Sequence, residues 1–295
     1  MNLKTLGVFC VGMDHFRALE AAAFAKRVEA WGYGALWFPE AVGRESLSAS
    51  AWLLANTTKL TIATGIANIY ARDAQAVAAG NSTLNELSNG RFLLGLGVSH
   101  VPLVEGRNHR YGKPVETMRA YLKAMGEAAY SAAPPPEKPK TVIAALGPKM
   151  LALAAELADG ALPLHVTPEH TAQARKALGP GKLLCVEQAA ILESDASKAR
   201  ALARQFLATY LGLPNYYNNW NRLGFTDADR ENGGSDRLID ALIVWGDEKT
   251  IRARLDAHIQ AGADHVCVHT IGGMKGAFPL PDEKLLALLA PGAGC

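Results

Sequence analysis

Residues 60–73 read LTIATGIANIYARD, and this stretch decides how the rest of the chain is interpreted. Thr61 to Thr64 combine β-branched and small residues, which is typical of a strand. Gly65 follows, and its missing Cβ permits backbone geometry that strains other residues. After a polar and aromatic segment, Asp73 is a suitable residue to begin a helix. The stretch therefore predicts a strand, an irregular loop and a helix, and functional groups are common on such loops.

The same order of apolar strand, polar residues and helix recurs along the chain. The predicted strands are Gly7 to Val11, Ala35 to Phe38, Thr61 to Thr64, Phe92 to Leu96, Thr141 to Ala145, Ala161 to Leu164, Leu183 to Leu192 and His265 to His269. Alternating strands and helices of one composition predict an α/β fold, a single (β/α)8 TIM barrel with insertion segments that takes residues 1–295 as one domain. A doubly wound sheet with a second domain is the alternative.

Two segments interrupt this order. Residues 132–140 (AAPPPEKPK) are rich in proline and predict a stiff, extended connector into the fifth strand. Residues 213–236 (LPNYYNNWNRLGFTDADRENGGSD) are aromatic and rich in Asn, and are too long for a plain barrel connection. We interpret them as an irregular insertion that is either a lid over the site or an oligomer contact.

The charge composition indicates which kind of molecule the protein binds. The net charge of +2 and the charged fraction of 20% imply neither nucleic acid nor a membrane surface, so a small-molecule substrate is expected. The four cysteines show no CxxC or metal-ligand spacing, and we interpret Cys10, Cys185 and Cys267 as buried thiols in a reducing compartment, with Cys295 at the end of the chain. The absence of an apolar segment of about 18 residues predicts a soluble, cytoplasmic protein.

Candidate site residues follow from the barrel, because its active site forms at the carboxyl ends of the strands. Histidines fall at several of these ends, and the segment of residues 145–150 (ALGPKM) places Gly147 and Lys149 at a helix start. This pattern predicts an anion site or, as the alternative, a plain glycine turn with proline at the first helical position. The HExxH, GxSxG and GxxxxGK[ST] motifs are absent from the sequence, and no metal site is predicted.

Several stretches together resemble the luciferase-like monooxygenase superfamily, within it the branch of oxidoreductases that depend on the deazaflavin coenzyme F420. They are GYGALWFPEA (32–41), TGIANIYARD (64–73), LNELSNGRFLLGLGVSH (84–100), RYGKPVETMRAYL (110–122), GPKMLALAAELADGALP (147–163) and AGADHV (261–266). The resemblance implies hydride transfer between F420 and a small organic substrate. An FMN-dependent two-component monooxygenase of the same superfamily is the alternative, followed by a lyase or isomerase acting on a phosphate substrate and by a cofactor-binding barrel without turnover.

The resemblance also implies roles for positions of this chain. Gly65 and Ile66 would flank a non-prolyl cis peptide behind the deazaflavin ring, and Gly147 to Lys149 would face its phosphate. The full set implied to bind the cofactor is Thr64, Gly65, Ile66, Asn68, Gly97, Val98, Ser99, Ala145, Leu146, Gly147, Pro148 and Lys149. Arg72, Arg107 and Arg110 are further candidates for binding carboxylates of its tail.

The proton donor is less easily assigned, because Ala41 stands where many members of the superfamily have histidine. The predicted catalytic residues are Glu40, His100 and His15, and the predicted substrate-contacting residues are His165, His269 and Trp220. A homo-oligomer, a dimer, is expected.

Overall fold

The computed structural model describes residues 3–276 and 278–292. Its strands are β1 (Leu6–Phe9), β2 (Ala35–Phe38), β3 (Thr61–Thr64), β4 (Ala67–Asn68), β5 (Phe92–Gly97), β6 (Thr141–Ile143), β7 (Gly160–Ala161), β8 (Leu183–Ile191), β9 (Ile243–Trp245), β10 (His265–Thr270), β11 (Met274–Lys275) and β12 (Phe278–Pro279). Its α-helices are α1 (Ala18–Ala30), α2 (Ser46–Ala55), α3 (Ala74–Leu87), α4 (Val101–Glu105), α5 (Pro114–Gly126), α6 (Pro148–Leu157), α7 (Pro168–Leu178), α8 (Ala196–Leu207), α9 (Pro214–Arg222), α10 (Asp236–Leu242), α11 (Glu248–Gln260) and α12 (Glu283–Leu288). Short 3-10 segments cover Val11–His15 and Asp227–Gly233.

Eight parallel strands close into a barrel in the part of the chain that the structure describes. Their order is β1, β2, β3, β5, β6, β7, β8 and β10, and β10 pairs back with β1. Each of these strands overlaps one that the sequence predicted, so the (β/α)8 barrel is confirmed. Because all eight run in one direction, the residues that follow them meet at one end, which we call the mouth.

Four short strands, β4, β9, β11 and β12, were not predicted. β4 follows Gly65 and Ile66 and pairs with β5, with Asn68 opposite Gly97. β9 pairs with the end of β8, with Ile243 opposite Ala189. Each of the four is two or three residues long, so none shows a recognisable alternation of apolar and polar residues.

The barrel interior is filled by large side chains. Trp37 and Phe9 are buried there with Leu162, Cys185 and Cys267. Burying an aromatic side chain of this kind stabilises the fold by about 1.5–3 kcal/mol, so the lower part of the barrel is a packed core. Cys10, Cys185 and Cys267 are free and buried as predicted, whereas Cys295 lies outside the described residues.

The insertion differs from its prediction. It is helical rather than irregular, since α9 and a 3-10 segment occupy most of it. Pro214 lies at the first position of α9, and Tyr216 and Trp220 recur at helical spacing, so one face of α9 is apolar. That face packs with Phe206 of α8 in a second hydrophobic cluster above the barrel.

Residues 132–140 form neither helix nor strand and lead into β6, as the proline content predicted. Among the described residues, no helix is both long and apolar enough to cross a bilayer.

Candidate active site

Glu40 follows β2 at the mouth, and its carboxylate is fully engaged. It accepts hydrogen bonds from the backbone N–H groups of Asn68 at 2.9 Å and Ser46 at 3.2 Å, and from both terminal nitrogens of Arg72, with Nη1 at 3.0 Å. Burial raises the pKa of Glu40, but the hydrogen bonds and the charge of Arg72 outweigh it, so the net pKa is lowered. Glu40 is therefore ionised at neutral pH and carries no proton to donate.

Arg72 also contacts Glu45, so its guanidinium joins two carboxylates. The expectation that Arg72 attracts carboxylates of a cofactor does not hold, because the protein itself occupies its terminal nitrogens. Arg107 donates to the carbonyl of Ala41 at 2.8 Å.

The loop after β3 contains the cis peptide between Gly65 and Ile66 that the resemblance implied. Two glycines make room for this loop. A Cβ on Gly65 would lie 2.5 Å from Cε2 of Phe9, and a Cβ on Gly97 would lie 2.4 Å from Cγ1 of Ile66. Thr64 secures the base of the loop, because its hydroxyl donates to the carbonyl of Gly95 and accepts from the N–H of Gly95, each at 2.8 Å.

Next to this loop, Ile66, Val98 and Ser99 are half-buried. We call these three residues the ring wall. Asn68 lies beneath it, 3% exposed, and its Oδ1 accepts from the N–H of Tyr70 at 3.0 Å. The ring wall is therefore a mainly apolar surface with one hydroxyl, and the protein leaves it partly uncovered at the mouth.

The start of α6 is the place where the sequence predicted an anion site. Gly147 is the N-cap, Pro148 is the first helical residue, and Lys149 is exposed. Nη2 of Arg222, from α9, lies 3.2 Å from the position of a Cβ on Gly147. Two cationic side chains thus flank a helix start whose free N–H groups favour anions.

Behind the same loop, Ala145 is buried and Leu146 contributes to both the barrel core and the cluster above it. The carbonyl of Leu146 lies 2.8 Å from Nε2 of His170, which fixes the entry to α6.

The predicted substrate residues His165 and His269 meet at a carboxylate that the sequence reasoning missed. Oε1 of Glu187 lies 2.9 Å from Nδ1 of His269, and Oε2 lies 3.4 Å from Nδ1 of His165. The exposed fractions are 1%, 2% and 3% for Glu187, His165 and His269. We call these three residues the Glu187 cluster.

Register explains this meeting. Glu187 is paired with Cys267, two residues before His269, so Glu187 and His269 point to the same face of the sheet. His165 reaches the carboxylate from the end of β7, where its own N–H donates to Oε2 of Glu187 at 3.1 Å. Its φ is +55°, a left-handed backbone, and its carbonyl accepts a hydrogen bond from the indole N–H of Trp220 at 3.0 Å.

Aromatic rings enclose the Glu187 cluster. The closest ring centroid to His165 belongs to Tyr210, at 4.3 Å, followed by Tyr216 at 5.2 Å, and Phe206 lies 5.0 Å from His269. His100 joins from β5 through Tyr216, with 5.9 Å between their rings. The structure therefore brings His100, His165 and His269 together under the insertion, to which Trp220 itself belongs.

Burial affects the protonation of this region. It lowers the pKa of His165 to about 4 despite the opposing charge of Glu187, and it lowers the pKa of His100. For Glu187, burial raises the pKa, but His165 and His269 more than offset that effect, so the net pKa is lowered. A carboxylate and at least one neutral imidazole thus coexist in an apolar enclosure.

His15 is not brought into this enclosure by any contact among the described residues. Its ring packs against Phe278, with centroids 6.3 Å apart, and its buried Nε2 has no hydrogen-bond partner. Its predicted catalytic role remains a prediction.

A family model described as luciferase-like monooxygenase matches residues 7–265. The chain belongs to the luciferase-like monooxygenase family. A putative coenzyme F420-dependent oxidoreductase of Mycobacterium tuberculosis is 25% identical, over 80% of this chain and 86% of that protein. These matches confirm the predicted family and the prediction of an enzyme.

Two solved structures share the fold of this family member. The coenzyme F420-dependent tetrahydromethanopterin reductase of Methanopyrus kandleri has a TM-score of 0.75 at 16% identity, covering 98% of each chain. The oxygenating constituent of 3,6-diketocamphane monooxygenase of Pseudomonas putida, in complex with FMN, has a TM-score of 0.66 at 13% identity, covering 98% of this chain and 97% of that one.

Two residues at the mouth of this luciferase-like protein escaped the sequence reasoning for different reasons. Glu187 interrupts the apolar strand LLCVEQAAI, and a charged residue inside such a strand was the available signal. Arg222 lies in the insertion, far in sequence from Gly147, and no local pattern relates the two.

Proposed function

We propose that this chain is an oxidoreductase that transfers a hydride between coenzyme F420 and a small organic substrate. The observation that carries the proposal is the ring wall, a mainly apolar surface of Ile66, Val98 and Ser99 built on Gly65 and Gly97 at the mouth. A flat ring needs such a surface, and the relative of Mycobacterium tuberculosis is described as F420-dependent.

The residues present fit this cofactor. The ring wall would support the deazaflavin, and Gly147, Lys149 and Arg222 would hold its phosphate at the start of α6. Asn219 supplies further evidence of fit. Its Oδ1 accepts a hydrogen bond from Arg222 at 3.3 Å, while its buried Nδ2 has no hydrogen-bond partner among the described residues. A buried donor without a partner, next to the cation that would bind the phosphate, is available to a ligand. When bound, F420 supplies two-electron hydride chemistry, and the protein's part is to bind, orient and exclude water.

We assign Glu40 a positioning role within this function. Its ionised carboxylate binds the N–H of Asn68 directly after the ring-wall loop, and Arg72 holds that carboxylate in place. We assign His100 to contact with the substrate, because it is half-buried, its pKa is lowered and its ring lies 5.9 Å from that of Tyr216.

Titration of the purified protein with oxidised F420 and, separately, with FMN tests the proposal by fluorescence quenching. We expect tight binding of F420. Gly97→Ala should weaken it at least tenfold, because the new methyl group would displace Ile66 of the ring wall. Gly126→Ala is the matched control, since a Cβ there meets nothing within 4 Å.

Tight binding of FMN with undetectable binding of F420 would reject the assignment. The function would then be that of a flavin-dependent monooxygenase that receives reduced flavin from a partner reductase.

A further inference from the structure

The Glu187 cluster fixes which nitrogen of His269 carries a proton. An ionised carboxylate only accepts hydrogen bonds, so Nδ1 of His269, 2.9 Å from Oε1 of Glu187, must be the donor. Nε2 of His269 is then the nitrogen left to exchange a proton. A second histidine provides an internal contrast, because Nε2 of His258 lies 2.9 Å from Oε1 of Gln188, and its Nδ1 lies 2.8 Å from the hydroxyl of Thr171.

The hydrogen bonds of Gln188 settle the tautomer of His258. The amide nitrogen of Gln188 donates to the carbonyls of Ala189 and Leu242 at 2.8 and 3.0 Å, so its oxygen accepts from Nε2 of His258. Adjacent residues of β8, Glu187 and Gln188, therefore hold two histidines in opposite tautomers on opposite sides of the strand.

The Glu187 cluster lies next to the expected position of the reacting ring. Phe9 packs against His269, with ring centroids 5.4 Å apart, and the same phenyl ring lies directly beneath Gly65. Nε2 of His165 is buried without a partner, and its Nδ1 faces Oε2 of Glu187 only at 3.4 Å, a cost that a purely structural cluster has no reason to retain.

The charged and titratable groups that face His269 from neighbouring elements are few. They are Glu187 and Cys267 in the strands, His165 and His100 at the strand ends, and Tyr210 and Tyr216 above. Glu187 is the ionised group among them, so an anionic substrate is disfavoured and a neutral hydroxyl group suits the enclosure.

We propose that Nε2 of His269 exchanges the substrate's proton during hydride transfer and that Glu187 is the positioning residue that holds this nitrogen toward the mouth. This rests on the proposed function. In the oxidative direction, the substrate C–H bond breaks and its hydrogen leaves with the electron pair as hydride to oxidised F420. The adjacent O–H bond breaks, its proton passes to Nε2 of His269, and a C=O bond forms. Reduction follows the reverse path.

The first test uses the free protein labelled with 15N-histidine. Long-range 1H–15N spectra distinguish the two tautomers, and His269→Asn and His258→Asn assign the signals. We expect a proton on Nδ1 of His269 and on Nε2 of His258. In Glu187→Gln, the His269 signal should become a mixture of tautomers while His258 is unchanged, because an amide both accepts and donates. A proton on Nε2 with a bare Nδ1 at His269 in the wild-type protein would overturn the inference.

The second test titrates cyclohexanol, a neutral hydroxyl probe, into the complex with F420. We expect the His269 signals to shift and those of His258 to stay, and His269→Asn to weaken cyclohexanol binding about tenfold. Shifts at both histidines or at neither would refute the inference.

F420 binding, measured by quenching, keeps the two proposals separate. Wild-type protein and Glu187→Gln should bind F420 within twofold of each other. If neither binds it, the proposed function fails, whereas the tautomers of the free protein still decide the role of Glu187.

Discussion

Glu40 and Glu187 are both buried carboxylates of the barrel mouth, 7% and 1% exposed, and both are ionised, yet they differ in their partners. Glu40 is paired with Arg72, which stays protonated at any physiological pH. Glu187 is shared between two imidazoles, side chains that can each gain or release a proton. The partner therefore decides whether a buried carboxylate holds a loop in place or supports the movement of a proton.

Arg72→Ala removes the ion pair between Arg72 and Glu40. Removing the cation leaves a buried carboxylate unpaired, and we expect a loss of about 3–5 kcal/mol in the free energy of unfolding, measured by urea denaturation. The double variant Arg72→Ala with Glu40→Gln is the control and should recover part of the loss, because the amide carries no charge. An Arg72→Ala protein as stable as the wild type would show that Glu40 needs no partner.

The buried histidines should make the free energy of unfolding depend on pH. Burial lowers the pKa of His165, His258 and His265 to about 4, whereas an unfolded histidine titrates near 6.5. Between these values the unfolded state binds more protons, so the free energy of unfolding falls as pH is lowered from 6.5 toward 4. The loss should be of the order of 2 kcal/mol per histidine at pH 5.

Urea denaturation across this pH range measures that loss. His258→Asn should reduce the slope of the free energy of unfolding against pH by the amount that corresponds to one bound proton. The lowered pKa of Glu40 predicts the same direction in a lower window, because its contribution is lost only as pH falls from the ordinary carboxyl value of 4.5 through its own. A flat profile between pH 6.5 and 5 would contradict the buried, neutral state of the three histidines.

Hydrogen exchange compares α9, the helix over the Glu187 cluster, with α2, the helix beside Glu40. Residues 214–222 of α9 lie over the Glu187 cluster, and we expect their amides to exchange about tenfold more slowly once F420 is bound, because Arg222 then gains an anionic partner. Amides of α2, beside Glu40, serve as the reference and should change little. Equal protection of α9 with and without F420 would leave the oligomer contact as the interpretation of the insertion.

The smallest effect is expected for Trp220→Phe. The substitution keeps an apolar ring but removes the N–H that bonds the carbonyl of His165, so the protein should lose about 1 kcal/mol of stability, measured by urea denaturation. The ring of Trp245, whose N–H donates to Asp240 at the barrel periphery, is the matched site, and Trp245→Phe should cost a similar amount. A much larger loss at Trp220 alone would mean that this bond also holds the left-handed backbone of His165.

The sequence predicted one of these two carboxylates and missed the other for a physical reason. Glu40 ends a short apolar strand, and strand ends locate the mouth of a barrel, so its position was predictable. Its role was not, because Arg72 lies 32 residues away and their pairing depends on the path of the β3 loop. Glu187 lies within a strand, and only the register of β8 against β10 shows that it faces His269.

The insertion illustrates a similar limit. The Asn-rich composition favoured an irregular segment, but packing of Tyr216 and Trp220 against Phe206 made it helical. Its covering of the mouth and the approach of Arg222 to Gly147 are tertiary facts that no local pattern encodes.

The pairing of β1 with β10 has a consequence for how the protein is made. Phe9 lies in the first strand and His269 in the last, so their contact cannot form until nearly the whole chain has left the ribosome. Until then, β1 and β8 each present an unpaired edge to other chains in the cell. Nascent chains that stall before β10 should therefore depend on chaperones, and in a circular permutant that places β10 directly before β1 that dependence should move to chains that stall before β8.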